Sequence, residues 1–269
     1  MTIEQVVILA LIQGITEFLP ISSSGHLILL PILTGWADQG LITDVMVHMG
    51  SFVAVIAYFW RDVLDLLRGA LDLVRRVESV NARKALYIML ATIPAVVFGL
   101  FVKVTGIIDA VRGAEIVAWN AIIFGILLYL ADRYGPRIHR MEDISLKTAM
   151  LIGVAQAIAI IPGTSRSGIT MTAGRALGMT RPEAARFSFL LGLPAIGAAG
   201  VLVLSEAVAE GQSISSDAWL AALLTFFAAL AAIAFLMALV KRISFLPFVI
   251  YRLALGGVLL WMVYSGMLA

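Results

Sequence analysis

The chain reads as an all-α integral membrane protein, with six transmembrane helices and two re-entrant helical hairpins in an inverted-topology repeat. It forms a single polytopic domain over 1–269, with halves at about 1–131 and 148–269. Three observations lead to this reading. Hydrophobic residues make up 61% of the chain and charged residues 13%, with a mean hydropathy of +1.02, well outside the range of ordinary soluble domains. The apolar runs are about 20 residues long, the length a helix needs to cross a bilayer, and they lack the shorter alternating pattern of barrel strands. Finally, two polar clusters, Pro20–His26 and Pro162–Gly168, interrupt otherwise apolar surroundings. Polar backbone and an arginine at membrane depth are costly unless they line a site.

The elements follow in order. Residues 1–42 form the first hairpin: a helix over 3–19, the ISSSGH loop, and a returning helix over 27–35. Spans are expected at 43–60, 85–103, 115–131, 187–204, 218–239 and 245–264. The connections 61–84, 132–147, 180–186 and 241–242 carry most of the Lys and Arg, whereas 36–42, 104–114 and 205–217 hold only Arg112. The first set is therefore expected in the cytoplasm and the second outside. With 132–147 and 180–186 on one side, residues 148–179 must cross an even number of times. The pieces 148–161 and 169–179 are each too short to span alone, so they form a second hairpin with PGTSRSG at its tip.

No cysteine is present, which removes disulfides, thiolate catalysis and Cys metal sites. The start of the chain lacks a basic n-region, and Gln13, Thr16 and Glu17 interrupt its first apolar run, so a cleaved signal peptide is not expected. The halves match at identical spacing: Gln13, Ser22, Ser24 and Gly25 in the first correspond to Gln156, Ser165, Ser167 and Gly168 in the second. Such a repeat brings broken helices tip to tip near the midplane.

The chemistry concentrates in the two loops. Arg166 carries a permanent charge and a fixed fork of donors suited to a phosphate, flanked by the hydroxyls of Thr164, Ser165 and Ser167. A helix beginning near Ile169, with Thr170 in its first turn, directs amides and a positive dipole end at the same place. The competing reading is an arginine neutralised by a structural carboxylate such as Glu17. Gln13 and Glu17, four apart, share a helix face. Glu17 in an apolar stretch reads as a metal ligand, a general base or a partner for Arg166. His26 follows Ser22, Ser23 and Ser24 closely and opens the returning half-helix, where an imidazole can exchange protons. Asp44 and His48, again four apart, either extend the site or bind a cation, or else make a helix-terminal interaction. Arg252 is a further intramembrane charge, Glu183 and Arg186 can pair, and Arg175 is expected to snorkel.

Taken together, GITEFLPISSSGHL, DVMVHMGSFVAV, IPGTSRSGIT and RFSFLLGLPA, in that order across nearly the whole chain, resemble the bacitracin-resistance type of undecaprenyl-diphosphate phosphatase. The resemblance implies hydrolysis of undecaprenyl diphosphate to the monophosphate carrier, recycling it for peptidoglycan synthesis, with bacitracin resistance as a consequence. It also implies a bacterial inner-membrane location and a site open to the periplasm. Carried over by motif, Glu17 falls on the family's second acidic position, Ser23 and His26 on its serine and histidine, and Ser165, Arg166 and Thr170 on its phosphate loop. The family's first acidic position admits Glu or Gln, and here it is Gln13. A Mg²⁺ or Ca²⁺ ion is suggested by the resemblance, with Glu17 as its ligand. The expected partners are the lipid diphosphate and the bilayer, with a homodimer left open and no nucleic acid.

On this reading Arg166, the hydroxyls of Ser22, Ser24, Thr164, Ser165, Ser167 and Thr170, Gln13 and the helix amides hold the diphosphate. Ser23 or a water attacks the terminal phosphorus, and His26 or Glu17 moves the proton. The rival is an alternating-access transporter or flippase of a polyprenyl phosphate, since inverted repeats with broken helices suit that task too.

Overall fold

The structure, a computed structural model, describes residues 1–107 and 113–268. Its helices are α1 (Ile3–Thr16), α2 (Ser23–Thr34), α3 (Leu41–Tyr58), α4 (Trp60–Val74), α5 (Val80–Thr105), α6 (Ala114–Tyr134), α7 (Leu146–Ile158), α8 (Arg166–Ala176), α9 (Arg181–Ala209), α10 (Ser216–Leu239) and α11 (Leu246–Tyr264). Among the described residues six helices, α3, α5, α6, α9, α10 and α11, are long and apolar enough to cross a membrane, matching the six expected spans. Helices α1, α2, α7 and α8, with 14, 12, 13 and 11 residues, are too short to do so alone. Arg112, expected in an external loop, lies outside the described residues.

Local chemistry sets the helix ends. Thr2 and Gln5 make a reciprocal capping box at the start of α1, and Ser79, Ser145 and Ser215 accept amide hydrogen bonds at the starts of α5, α7 and α10. Close helix packing then depends on small residues, as it must where lipid supplies no hydrophobic contrast between helices. A Cβ on Gly50 of α3 would fall 2.2 Å from the Ala222 carbonyl of α10, and one on Gly153 of α7 would fall 2.2 Å from the Ala91 carbonyl of α5. A buried cluster that includes Phe18, Phe59, Phe187, Phe189 and Leu190 lies beneath the first polar loop, with Phe18 edge-on to Phe189 at 5.3 Å.

The structure changes three local expectations. The connection 61–84 contains α4, a helix whose Trp60, Leu64, Leu67, Leu71 and Val74 form an exposed stripe at spacings of three and four. The charges between those positions lower the run's mean hydropathy below that of a span. Both short helices after the polar loops begin earlier than expected, at Ser23 rather than 27 and at Arg166 rather than near Ile169, because Ser22 and Ser165 cap them. Arg175 does not snorkel: it is fully buried, paired with Asp132 at 3.2 Å and donating to the carbonyls of Gly135, Pro136 and Met179. Asp132 also accepts from Arg181 at 2.6 Å and from the Phe245 amide at 3.1 Å, tying α6, α8, α9 and α11 together at one end of the bundle. Nearby, Glu183 and Arg186 pair at 3.5 Å as expected, and Arg186 also binds Asp62.

Candidate active site

Each polar loop ends in a serine that caps the following short helix. Ser22 adopts φ 77° and accepts from the Gly25 amide at 3.3 Å, and Ser165 adopts φ 73° and accepts from the Gly168 amide at 3.1 Å. The parallel extends to the hydroxyl contacts, Ser22 with Ser24 at 3.4 Å and Ser165 with Ser167 at 3.3 Å. Non-glycine residues seldom take positive φ, so the same departure at matched positions identifies two copies of one turn. Ser23 and Arg166 then occupy the same place, the first residue of α2 and of α8. The loops touch directly, with Ser167 Oγ donating to the Leu19 carbonyl at 3.1 Å.

Glu17 lies where they meet. Its Oε2 accepts from Ser23 Oγ at 2.6 Å and from Gln13 Nε2 at 3.1 Å, and its Oε1 accepts from Arg166 Nη2 at 3.0 Å. His48 Nε2 stands 3.6 Å from the same carboxylate, with Nδ1 2.7 Å from the Asp44 carbonyl, so His48 does extend the cluster. Arg166 is oriented further by Nη1, which donates to the Ser188 carbonyl at 3.1 Å. Glycine at 192 makes room for the guanidinium, because a Cβ there would fall 2.1 Å from Nη1. These groups border a cavity of about 470 Å³ whose lining includes Glu17, Ser23, Ser24, His48, Ser165 and Arg166. A carboxylate bonded to a hydroxyl, with a guanidinium beside both, is an arrangement for activating an oxygen nucleophile next to an anion.

Fully buried Arg252, which does not line the cavity, has backbone carbonyls as its hydrogen-bond partners. It donates to Pro20 of the first loop, to Gly163 and Thr164 of the second, and to Asn120 and Ala121 of α6, at 3.0–3.2 Å. The intramembrane charge seen in the sequence therefore fastens the two loops to each other. Asn120 adds a bond to the Pro162 carbonyl at 2.7 Å.

The remaining predicted residues fall as follows. Gln13 is wholly buried behind Glu17, Ser22 and Ser167 serve the loop turns, and Thr164 is buried with its hydroxyl unpaired. Thr170 bonds the Arg166 carbonyl at 2.8 Å and meets Ser188 Oγ at 2.6 Å, so it braces Arg166 from behind. His26 turns the other way: Nδ1 lies 2.6 Å from the Ser22 carbonyl and Nε2 lies 2.6 Å from Tyr251 Oη, with the rings stacked at 5.8 Å. It does not border the cavity. Sequence reasoning missed Ser188, which sits inside an apolar span, and Tyr251, which looks like any interfacial aromatic. Among the described residues no group of three or more His, Asp and Glu could hold a metal ion, and both oxygens of Glu17 are engaged by protein donors.

The model of the family described as bacitracin resistance protein BacA matches residues 6–258. An undecaprenyl-diphosphatase of Ruegeria pomeroyi is 49% identical over 267 residues, covering 98% of this chain and 100% of that protein. Undecaprenyl-diphosphatases of Erythrobacter litoralis and Alteromonas mediterranea are 47% and 46% identical, covering 97% and 98% of this chain and 99% and 100% of theirs.

Proposed function

The chain belongs to the bacitracin resistance protein BacA family, and from that membership we propose that it is an undecaprenyl-diphosphate phosphatase. It hydrolyses undecaprenyl diphosphate to undecaprenyl phosphate and phosphate in the bacterial inner membrane, which it spans several times, and so returns the lipid carrier to peptidoglycan synthesis. The observation that carries the residue assignment is the Glu17 carboxylate, bonded at once to Ser23 Oγ at 2.6 Å and to Arg166 at 3.0 Å on the wall of one cavity.

Arg166 spends one donor on Glu17 and one on Ser188, leaving further N–H groups of its five for phosphate oxygens. Glu17 takes the proton of Ser23 as Oγ bonds to the terminal phosphorus. The P–O bond to the bridging oxygen breaks, and undecaprenyl phosphate leaves. Glu17 passes its proton to the departing phosphate, so that it is again a carboxylate. Water then attacks the phosphoserine, giving up a proton to Glu17, which returns it to Ser23 Oγ as the Oγ–P bond breaks and phosphate is released. Ser23 is favoured over a water in the first step because the hydroxyl already sits on the carboxylate, and Glu17 over His26 as base because His26 is turned toward Tyr251. No step is routed through a divalent ion.

The same reading takes α1–α2 and α7–α8 as two re-entrant hairpins of an inverted repeat. The matched positive φ at Ser22 and Ser165 and the equivalence of Ser23 with Arg166 support it. The cavity also borders Leu41 and Val203, next to the connections that the basic-residue bias assigns to the exterior, which supports a site facing the periplasm. The test is phosphate release from undecaprenyl diphosphate in detergent micelles. Hydrolysis needs no sealed membrane whereas transport does, so release by wild type and its loss in Arg166→Ala is the expected outcome. No release from folded wild-type protein would refute the reading.

A further inference from the structure

Gln156, at the C-terminal end of α7, is 2% exposed, and neither its Nε2 nor its Oε1 has a hydrogen-bond partner. Its repeat-mate Gln13, by contrast, donates its Nε2 to Glu17 at 3.1 Å and to Ser51 at 3.5 Å, and only its Oε1 is without a partner. A buried primary amide without partners is costly to keep and calls for a ligand. Gln156 lines a second cavity, of about 340 Å³, between α5, α7 and α9. Arg166, Ala159, Ile160, Ala195 and Ala199 border both this cavity and the one containing Ser23, so the two are adjacent compartments with Arg166 in their common wall.

Apart from Gln156, Arg166 and Lys103, the lining of the second compartment is apolar and largely small, including Ala95, Gly99 and Ala198. It reaches Val96, Leu100 and Leu202, which are exposed on the outer face of the two long helices α5 and α9, the surface a bilayer would cover. A mainly apolar compartment that reaches the lipid-facing surface, and whose lining includes Gln156 and Arg166, suits the junction between a phosphate and a hydrocarbon chain.

We infer that this compartment seats the lipid side of the substrate, with the Gln156 amide donating to an oxygen of the phosphate that stays on the lipid and the first isoprene units lying between α5 and α9. The inference rests on the phosphatase reading and extends it: Arg166 divides the terminal phosphate, at Ser23, from the inner phosphate, at Gln156. It also gives Gln156 a task that its counterpart in the first half does not share, since Gln13 is already committed to Glu17.

The experiment compares Gln156→Leu and Ala198→Phe with wild type, measuring KM and kcat for undecaprenyl diphosphate in micelles and the inhibition constant of inorganic phosphate. Inorganic phosphate reads the Ser23 compartment alone. Gln156→Leu is expected to raise KM by about tenfold, the value of one lost hydrogen bond to a charged oxygen, and to change kcat less. Ala198→Phe, which fills the second compartment, is expected to raise KM further, with the phosphate inhibition constant unchanged in both. An unchanged KM in both variants, or a phosphate constant that rises in step with KM, would overturn the inference. In parallel, farnesyl diphosphate with a diazirine on its first isoprene unit is photolysed on wild-type protein. Adducts within 95–103 and 195–202 are expected, and adducts confined elsewhere would overturn it. Wild type that releases no phosphate would count against the phosphatase reading instead, and the crosslink would still decide the lipid-side assignment.

Discussion

Gly192 of α9 touches no substrate on this reading, yet Gly192→Ala should disable the enzyme without weakening its fold. The added Cβ would fall 2.1 Å from Nη1 and 2.6 Å from Cζ of Arg166, and an ordinary contact begins near 3.4 Å, so the guanidinium must retreat by about 1.3 Å. It is the free end of a flexible side chain and will move before the backbone of α9 does. That retreat breaks the 3.1 Å bond to the Ser188 carbonyl and carries the phosphate-facing donors off their aim. Misplacing a catalytic group by roughly 1 Å costs on the order of 10²-fold in rate. Alanine also favours the helix over glycine by about 1 kcal/mol, so the melting temperature in detergent should hold or rise. Phosphate release under saturating lipid diphosphate, beside a thermal melt of the same preparation, separates the two effects. Turnover within about threefold of wild type would refute the claim that the position of Arg166 limits the reaction, and a lowered melting temperature would refute the local account of the clash.

Arg166→Lys should lose nearly as much activity as Arg166→Ala, because an ammonium cannot span Glu17, Ser188 and a phosphate at once; near wild-type turnover by the lysine variant would rule out the clamp. Ser23→Ala should abolish both turnover and the phosphate that remains bound to acid-quenched wild-type protein, whereas residual turnover with no trapped phosphate in either protein would make water the nucleophile. Asp132→Ala leaves fully buried Arg175 without its carboxylate and should cost about 3–5 kcal/mol of stability, read as a lowered unfolding midpoint, with activity per folded molecule preserved. Because the chain has no native cysteine, Glu183→Cys and Arg140→Cys can be probed with an impermeant thiol reagent on spheroplasts, and both should label only after permeabilisation; labelling of position 183 alone from outside would end the two-hairpin reading.

The long helices were legible because burial in lipid imposes one demand, hydropathy over about 20 residues, and each span meets it in its own sequence. Helix α4 was not legible, since an amphipathic segment meets no such demand and its periodicity competes with five interspersed Arg and Asp residues. The site divides in the same way. Ser22 and Ser165, with their glycines three residues on, could be matched by spacing because a capped turn is a local object. The course of Arg175 depends on Asp132, 43 positions away, and that of His26 on Tyr251, 225 positions away; no local pattern carries either partner. The sequence offered Glu17 both as a base and as the partner of Arg166, two readings set against each other. In the folded chain they coexist, because the carboxylate has two oxygens and uses Oε1 for Arg166 and Oε2 for Ser23.

The serines at positive φ show how the loops are held in shape. A residue strained in this way costs on the order of 1–3 kcal/mol, and glycine would relieve it, but glycine has no Oγ to accept from the amides of Gly25 and Gly168. The cap therefore requires a side chain where the backbone would prefer none, and something else must hold the turn. Arg252 does so without a side-chain partner, gathering the carbonyls of Pro20, Gly163 and Thr164. In a trans peptide the N–H points opposite to the C=O. Drawing the Thr164 carbonyl toward Arg252 therefore turns the Ser165 N–H away from Arg252, and so fixes the peptide that leads into Ser165, a residue lining the cavity with Arg166. Arg252, which is not among the residues lining that cavity, thus sets the backbone of a residue that is.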